Sequence, residues 1–312
     1  LFSQKVANAE AAGAAGVIFY MADDSPLVSP GGLGSSWTPA AMISNAAGVA
    51  LKKYLAEHPE AEVILDPNGD EEDYPYPDEL ASFSSRGPAQ GDASLKPELV
   101  APGTYIYTAG QNYDPNGFLF SESPYVAANG TSFSTPLVAG VAALLRQLRP
   151  DFSAGQVKSA LVNTASSEVA TDDTGSRVDV RSVGAGKINA EAALKAAVTV
   201  SPTTLSFGEL KAGSLPVSRQ LQITNVSSAA ISLTISVTAA VASLGANLSL
   251  SNSQISLLPG ASSTLTVTLS GALPAPGAYS GSIVLQGSGF AVRVPYLYLV
   301  PSNTAANLIP LT

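Results

Sequence analysis

A serine that could act as a nucleophile stands at the start of an apolar segment, in the order Asn129-Gly130-Thr131-Ser132. If a helix begins here, its free backbone N–H groups and the positive end of its dipole lie beside the hydroxyl. Such donors can stabilise the oxyanion that forms when a serine attacks a carbonyl carbon, and Gly130 permits a sharp turn. An ordinary N-cap serine occupies the same position. The position of Ser132 therefore leaves two interpretations open, a nucleophile and a helix cap.

The residues after Ser132 have the periodicity of a buried helix. Their apolar side chains recur at intervals of three and four residues: Leu137, Val141, Leu144, Leu145 and Leu148. We expect Pro136 to fall within the first turn, where its missing N–H costs no helical hydrogen bond, and Pro150 to end the helix. A second helix follows, for which Ser153 and Gln156 predict a capping box. These two helices would hold the serine in place.

Residues 1–66 carry alternating helix and strand signals. Good helix formers fill Lys5–Ala12, and Val17–Met21 is an apolar run typical of a buried strand. A second helix is expected to open at Ser44. A short strand is expected at Glu62–Leu65. The pattern predicts a small α/β unit.

An acidic segment, DPNGDEEDYPYPDE, connects this unit to the next part of the chain. Seven of its fourteen residues are acidic and none is basic. A calcium-binding loop and a solvated linker are both possible interpretations. The spacing differs from the D-x-[DN]-x-[DN]-G pattern of an EF-hand, and like charges keep a segment extended. The sequence favours a linker at residues 67–79 and predicts no metal and no cofactor.

From Val198 to about Pro301 the apolar residues recur at every second position. The alternation is clearest in four runs: Ile231 to Val237, Leu265 to Leu269, Ile283 to Leu285 and Val292 to Tyr298. Turn signals such as Pro259-Gly260 separate the runs. About seven short strands in this length predict an antiparallel β-sandwich with a structural or accessory role.

The composition excludes several classes of function. A net charge of −9, from 15 basic and 24 acidic residues, disfavours nucleic acid as a partner. The longest apolar stretch, Pro136–Leu145, is about half as long as a membrane span. The absence of cysteine excludes disulfides, thiolate catalysis and cysteine-bound zinc. The chain opens at Leu1 without a signal segment, so we expect its beginning to lie elsewhere.

The serine segment resembles the nucleophile motif of the subtilisin-like serine proteases, the subtilases. That motif is G-T-S-x-[ASC]-x-P-x-[VA]-[AS]-G, and every fixed position matches in GTSFSTPLVAG. Four further segments resemble family motifs in the right order: Ser82–Pro88, Leu95–Gly103, Val157–Ala165 and Gly184–Ala190. Glu98 stands where the family pattern usually has Asp. The resemblance covers residues 82–190.

The resemblance implies a fold and a chemistry. Residues 80–197 would be the C-terminal part of a subtilisin-like catalytic domain with a parallel sheet. Ser132 would be the catalytic nucleophile of a secreted endopeptidase, acting on protein or peptide substrates through an acyl-enzyme. Asn129, Gly130 and Thr131 would form the substrate and oxyanion loop. No expectation for the oligomeric state follows.

The flanking zones are similar to accessory parts of large subtilases. Residues 1–66 resemble part of a protease-associated domain, on the match of Phe2–Ala9 and Ala12–Ile18. Residues 198–312 resemble the fibronectin type III-like domain that follows the catalytic domain, with a tail. We expect this sandwich to fold independently of the helices before it.

The family's aspartate motif, its histidine motif H-G-T-x-V-A-G and its oxyanion asparagine do not occur in the sequence. The single histidine, His58, lies in Glu57-His58-Pro59-Glu60 and is expected to be exposed at a helix end. Because a serine without a general base is a poor nucleophile, the chain alone is predicted to be nearly inert. A binding or adhesion module with a vestigial Ser132 is the alternative. An esterase is disfavoured because G-x-S-x-G is absent around Ser132.

Overall fold

The computed structural model describes residues 2–23, 38–64, 78–115, 117–121, 124–167, 176–240 and 244–302. The chain divides into two compact units. The first unit comprises Leu1–Pro75, Ala81–Phe83 and Gly103–Phe133. The second unit comprises Tyr76–Leu80, Ser84–Pro102 and Ser134–Thr312. The predicted boundaries at residues 66, 79 and 197 stay predictions.

The first unit opens with the predicted helix and strand and contains the predicted second helix, but one strand between them was not predicted. Its elements are α1 (Phe2–Ala11), β1 (Val17–Tyr20), β2 (Ala40–Ile43) and α2 (Asn45–Glu57). Strands β1 and β2 pair in parallel. Ser44 caps α2 as predicted, since its hydroxyl accepts a hydrogen bond from a backbone N–H in the first turn.

The strand expected at Glu62–Leu65 is wrong for residues 62–64, which have no regular structure. Ile64 is 86% exposed, so this short apolar run lacks the burial that would stabilise a strand. Leu65 lies outside the described residues, as does most of the acidic segment.

A hairpin that the sequence did not predict leads to the serine segment. Strand β3 (Ile106–Ala109) pairs antiparallel with β4 (Tyr125–Ala128). The exposed rings of Tyr107 and Tyr125 stack, with their centroids 5.4 Å apart. Between residues 80 and 197 the described chain contains few parallel pairings, among them an isolated bridge from Val100 to Lys187. Among the described residues between 80 and 197, the predicted parallel sheet is therefore represented only by isolated bridges.

Four helices follow the hairpin in the described chain: α3 (Thr131–Leu148), α4 (Ala154–Asn163), α5 (Val180–Val183) and α6 (Ala190–Leu194). The predicted capping box at the start of α4 is confirmed. Ser153 Oγ accepts from the Gln156 N–H at 3.3 Å, and the Ser153 N–H donates to Gln156 Oε1 at 2.8 Å. None of the described helices combines the length and apolar character needed to cross a bilayer.

Residues 198–300 form a β-sandwich, as predicted. Its described strands are β5 (Val198–Ser201), β6 (Leu205–Glu209), β7 (Val217–Asn225), β8 (Ile231–Ala239), β9 (Ala246–Leu250), β10 (Gln254–Leu257), β11 (Ser262–Gly271), β12 (Gly277–Gly287) and β13 (Phe290–Val300). One sheet has the order β10-β8-β12-β13-β6 and the other β5-β7-β11-β9. The pairs are antiparallel except β6 with β13, which are parallel.

Alternation along the strands builds the sandwich core. Inward side chains such as Ile223, Leu265 and Ile283 are 0% exposed. Outward hydroxyls pair across neighbouring strands, as Ser218 and Thr268 do at 2.8 Å. The period-two pattern therefore identifies the buried face correctly.

Two polar side chains of α4 are buried against the sandwich. Ser159 and Asn163 are each 1% exposed. Ser159 Oγ accepts a hydrogen bond from the Val200 N–H at 2.7 Å and donates one to Asn163 Oδ1 at 2.9 Å. Asn163 Nδ2 donates to the carbonyls of Thr203 and Arg293, both at 2.8 Å. Each polar group thus has a partner, which burial at this depth requires.

Further contacts join the helices to the sandwich within the second unit. The Arg293 side chain donates to the Ala165 carbonyl, and Arg149 Nη2 donates to the Val226 carbonyl at 2.6 Å. The Val226 N–H donates to the Ala197 carbonyl at 2.9 Å. These contacts argue against the expectation that the sandwich folds independently, because its separation would leave buried polar groups on both sides without partners.

We predict that Asn163→Ala lowers the free energy of unfolding by about 1–3 kcal/mol, the cost of leaving buried polar groups unsatisfied. Asn247→Ala is the matched control, because Asn247 lies on β9 with its side chain exposed. Urea denaturation of this chain measures both. Hydrogen exchange should show α4 and β13 losing protection together, and loss in α4 with β13 fully protected would contradict the coupling.

Candidate functional site

Ser132 lies at the start of a helix, as the sequence predicted. It is the second residue of α3, directly after Thr131, and both residues are exposed. The backbone N–H groups of a first helical turn have no partner within the helix, and they lie at the positive end of its dipole. The hydroxyl therefore stands where donors for an oxyanion are available.

The turn before Ser132 depends on glycine. Gly130 has a φ of +152°, a backbone conformation that residues with a Cβ rarely adopt. Its N–H donates to the Gly103 carbonyl at 2.8 Å, and its own carbonyl accepts from the Phe133 N–H at 3.0 Å. Gly130 thereby turns the chain from β4 into α3.

The side chain of Asn129 fixes a neighbouring loop. Its Oδ1 accepts a hydrogen bond from the Tyr105 N–H at 2.5 Å. Together with the bond from Gly130 to Gly103, this contact holds residues 103–105 beside the start of α3. The sequence reasoning did not find these partners, although the A-P-G match that ends at Gly103 was an available signal. A contact of Asn129 or Thr131 with substrate stays a prediction.

The expectation about Pro136 is wrong. Pro136 is the sixth residue of α3, which places it beyond the first turn. Proline has no N–H to donate to the carbonyl four residues earlier, which is that of Ser132, and its ring crowds that carbonyl. The helix therefore lacks one regular hydrogen bond at the candidate nucleophile.

The expectation that α3 is mostly buried is also wrong for the described structure. Leu145 is 0% exposed, whereas Leu137, Leu144 and Leu148 are 40%, 53% and 59% exposed. The buried face of α3 packs on α4 and α6 through Leu145, Phe152 and Ala160. A run of apolar residues predicts a helix with apolar faces, but it does not tell which of those faces a neighbour covers.

The described side-chain contacts of His58 are with Tyr54 and Glu60. His58 follows the last residue of α2, as predicted, and its side chain is 48% exposed. Its ring lies 4.5 Å from that of Tyr54, and its Nδ1 lies 3.8 Å from Glu60 Oε1. His58 is the one histidine of the sequence, and the prediction that it is not the base for Ser132 stays a prediction.

Glu98 forms an ion cluster with two lysines. Its carboxylate lies 2.7 Å from Nζ of Lys96 and 2.7 Å from Nζ of Lys158. Partial burial by itself would raise the pKa of Glu98, but the hydrogen bonds from both lysines lower it by more. The net pKa therefore lies below the usual 4.5. The residue that departs from the family pattern thus has a structural role here. In the part of the chain that is described, no three acidic or histidine side chains are grouped to hold a metal ion.

Comparison with known proteins gives consistent matches to one family. The sequence model described as the subtilase family matches residues 24–186. The minor extracellular protease Vpr of Bacillus subtilis (strain 168) is 29% identical over 229 residues, which are 72% of this chain and 27% of that protein. Subtilisin-like protease SBT3.9 of Arabidopsis thaliana is 40% identical over 133 residues, 40% of this chain and 17% of that protein. The matches thus span less than a third of these relatives.

We predict that Gly130→Ala destabilises the chain by about 1–3 kcal/mol, because alanine is strained at this φ. Gly140→Ala is the matched control on α3. Among the described residues nothing lies within 4 Å of the Cβ that alanine would add there, so that change should stabilise by about 0.5–1 kcal/mol. Thermal and urea unfolding measure both variants. Equal effects of the two substitutions would contradict the role assigned to Gly130.

We predict that Glu98→Gln lowers stability by about 1 kcal/mol at pH 7, since both lysines are half exposed and screened. A lowered folded-state pKa gives stability that is present above the unfolded pKa and lost as the pH falls through the folded one. The difference between the two proteins should therefore be full above the unfolded pKa, shrink as the pH falls below about 4.5, and disappear below the lowered folded pKa. Glu191→Gln, which breaks an exposed pair with Lys195, should have a much smaller effect. A difference that stays constant from pH 7 to pH 2 would refute the electrostatic explanation.

Proposed function

We propose, because this chain belongs to the subtilase family, that it carries the nucleophile of a serine-type endopeptidase and that this nucleophile is Ser132. The observation that carries the proposal is the position of Ser132, exposed in the first turn of α3 after a glycine-dependent turn. An N-cap serine at an ordinary helix needs no such turn. The fixed positions of the G-T-S-x-S-x-P segment support the same assignment.

The proposed reaction is acyl transfer. Ser132 Oγ attacks the scissile carbonyl carbon of a peptide while its proton passes to a general base. The negative charge that develops on the carbonyl oxygen is stabilised by backbone N–H groups at the start of α3. The base returns the proton to the leaving amine, an acyl-enzyme remains, and water hydrolyses it in a second round of the same steps.

The general base is proposed to come from outside these 312 residues. His58 contacts Tyr54 and Glu60, and the sequence contains no second histidine. By itself the chain should therefore be nearly inert. Asn129, Gly130 and Thr131 are proposed to hold the loop that faces substrate.

The flanking parts are proposed to be accessory domains. The parallel pair β1–β2 with helices α1 and α2 is compatible with part of a protease-associated domain. The β-sandwich at residues 198–300 is compatible with a fibronectin type III-like domain. Secretion is proposed because the Bacillus relative is named as an extracellular protease.

The test uses a fluorophosphonate probe, which labels only activated serines. In a longer protein that joins this chain to the family's aspartate and histidine motifs, we expect strong labelling at Ser132. Ser132→Ala should abolish labelling and reduce peptide hydrolysis by about a million-fold, the loss known for removing the nucleophile of an intact triad. Ser134→Ala, two residues further along α3, is the matched control and should retain both.

The 312-residue chain alone should be labelled hardly at all. Strong labelling that disappears in His58→Ala would show that His58 is the base. Failure of the longer protein to be labelled, with the protein folded, would favour the non-enzymatic binding module.

A further inference from the structure

Three of the seven arginines in the sequence line one cleft of the second unit. The cleft has a volume of about 410 Å³, and its walls include Arg86, Arg177 and Arg181 together with Asp179. Its described lining residues all belong to the second unit. Its size falls at the lower end of the range for small-molecule sites, about 300–1,000 Å³.

Backbone contacts fix the two walls of the cleft. The Gly87 N–H donates to the Arg181 carbonyl at 2.8 Å, which holds Arg86 next to the short helix α5. A Cβ at Gly87 would lie 1.8 Å from the Lys96 carbonyl oxygen, so only glycine allows this approach. The arginines are therefore presented by a rigid backbone.

The single carboxylate of the cleft is committed to one of the arginines. Asp179 Oδ2 lies 2.9 Å from Arg181 Nε and 2.5 Å from its Nη2, and Oδ1 accepts from the Arg181 N–H at 2.8 Å. These hydrogen bonds raise the pKa of Arg181. Guanidinium groups stay charged at any physiological pH. The described lining thus gathers three guanidinium groups in one cleft, within a chain whose net charge is −9.

Arg86 is the group best placed to bind a ligand. Its side chain is exposed, and it makes no hydrogen bond or ion pair within the described chain. A guanidinium presents its N–H donors in a planar fork that matches two oxygens of a phosphate, sulfate or carboxylate.

We propose that the cleft of Arg86, Arg177 and Arg181 is a binding site for an oxyanion of the phosphate or sulfate class. This site is separate from the proposed peptidase chemistry, and its test does not depend on that chemistry. Binding to the folded chain alone would stabilise it, because a ligand that binds only the native state shifts the unfolding equilibrium.

The experiment uses the 312-residue chain with inorganic phosphate and with sulfate, at constant ionic strength maintained with sodium chloride. Isothermal titration calorimetry should give one site, and the midpoint of thermal unfolding should rise with phosphate concentration. A second titration with phosphoserine tests whether the site accepts a phosphate monoester as well as the free anion. A site that is open enough for the organic group binds both ligands, whereas a closed site binds only inorganic phosphate.

Two substitutions and a control decide the assignment. Arg86→Gln should weaken phosphate binding about ten-fold or more, and Arg86→Lys should weaken it less because the charge remains without the fork. Lys211→Gln, which removes one exposed positive charge elsewhere in the second unit, should leave binding unchanged. Unfolding midpoints in chloride alone show whether each variant is folded.

The proposal fails if phosphate neither binds nor raises the unfolding midpoint at constant ionic strength. It also fails if the folded Arg86→Gln protein and the Lys211→Gln protein lose binding equally, because each loses one positive charge and the effect would then come from overall charge rather than from this cleft.

Discussion

The buried amide of Asn163 is the contact on which the rest of the second unit depends. It satisfies two sandwich carbonyls, and through Ser159 it is linked to the N–H of Val200. Helix α4 therefore has one fixed position on the sandwich. Helix α4 also contributes Ala160 and Leu161 to the apolar cluster that contains Leu145 of α3. The sandwich thus positions α4, and α4 in turn positions α3.

This order of dependence bears on the proposed chemistry. A nucleophile at a helix start is useful only if the helix is held still, because small displacements of a reacting group cost much of the rate. One face of α3 is fixed by α4, while its first turn is fixed by the bonds of Gly130 to Gly103 and of Asn129 to Tyr105. An accessory sandwich without catalytic residues can therefore still matter for catalysis, through the rigidity it gives to α4.

Local patterns predicted the elements that local physics determines. The helix start at Ser132, the capping box at Ser153 and the alternation of the sandwich strands all depend on residues within a few positions of one another, so the sequence contains the full information. The burial of α3 could not be predicted, because the exposure of Leu144 depends on elements that are distant in sequence. The hydrogen bonds of Asn163 could not be predicted either, because its partner Arg293 is 130 residues away in the chain. The hairpin β3–β4 was missed because its strands are four residues each and its apolar alternation is short.

The arginines show how a chain with few charges uses them. Charged residues make up 12% of the sequence. Four arginines donate to backbone carbonyls, and two of them, Arg149 and Arg293, do so across more than 70 residues of chain: Arg146, Arg149, Arg219 and Arg293. A guanidinium suits this task because it satisfies buried carbonyls while its stem packs against apolar neighbours, as Arg149 does over the ring of Phe152 at 3.9 Å. Arg86 departs from this use, since it is exposed and joins no carbonyl in the described chain. Arg86 is held by a rigid turn beside two other arginines, and it has no structural task. The binding of a ligand explains such a side chain better than the fold does.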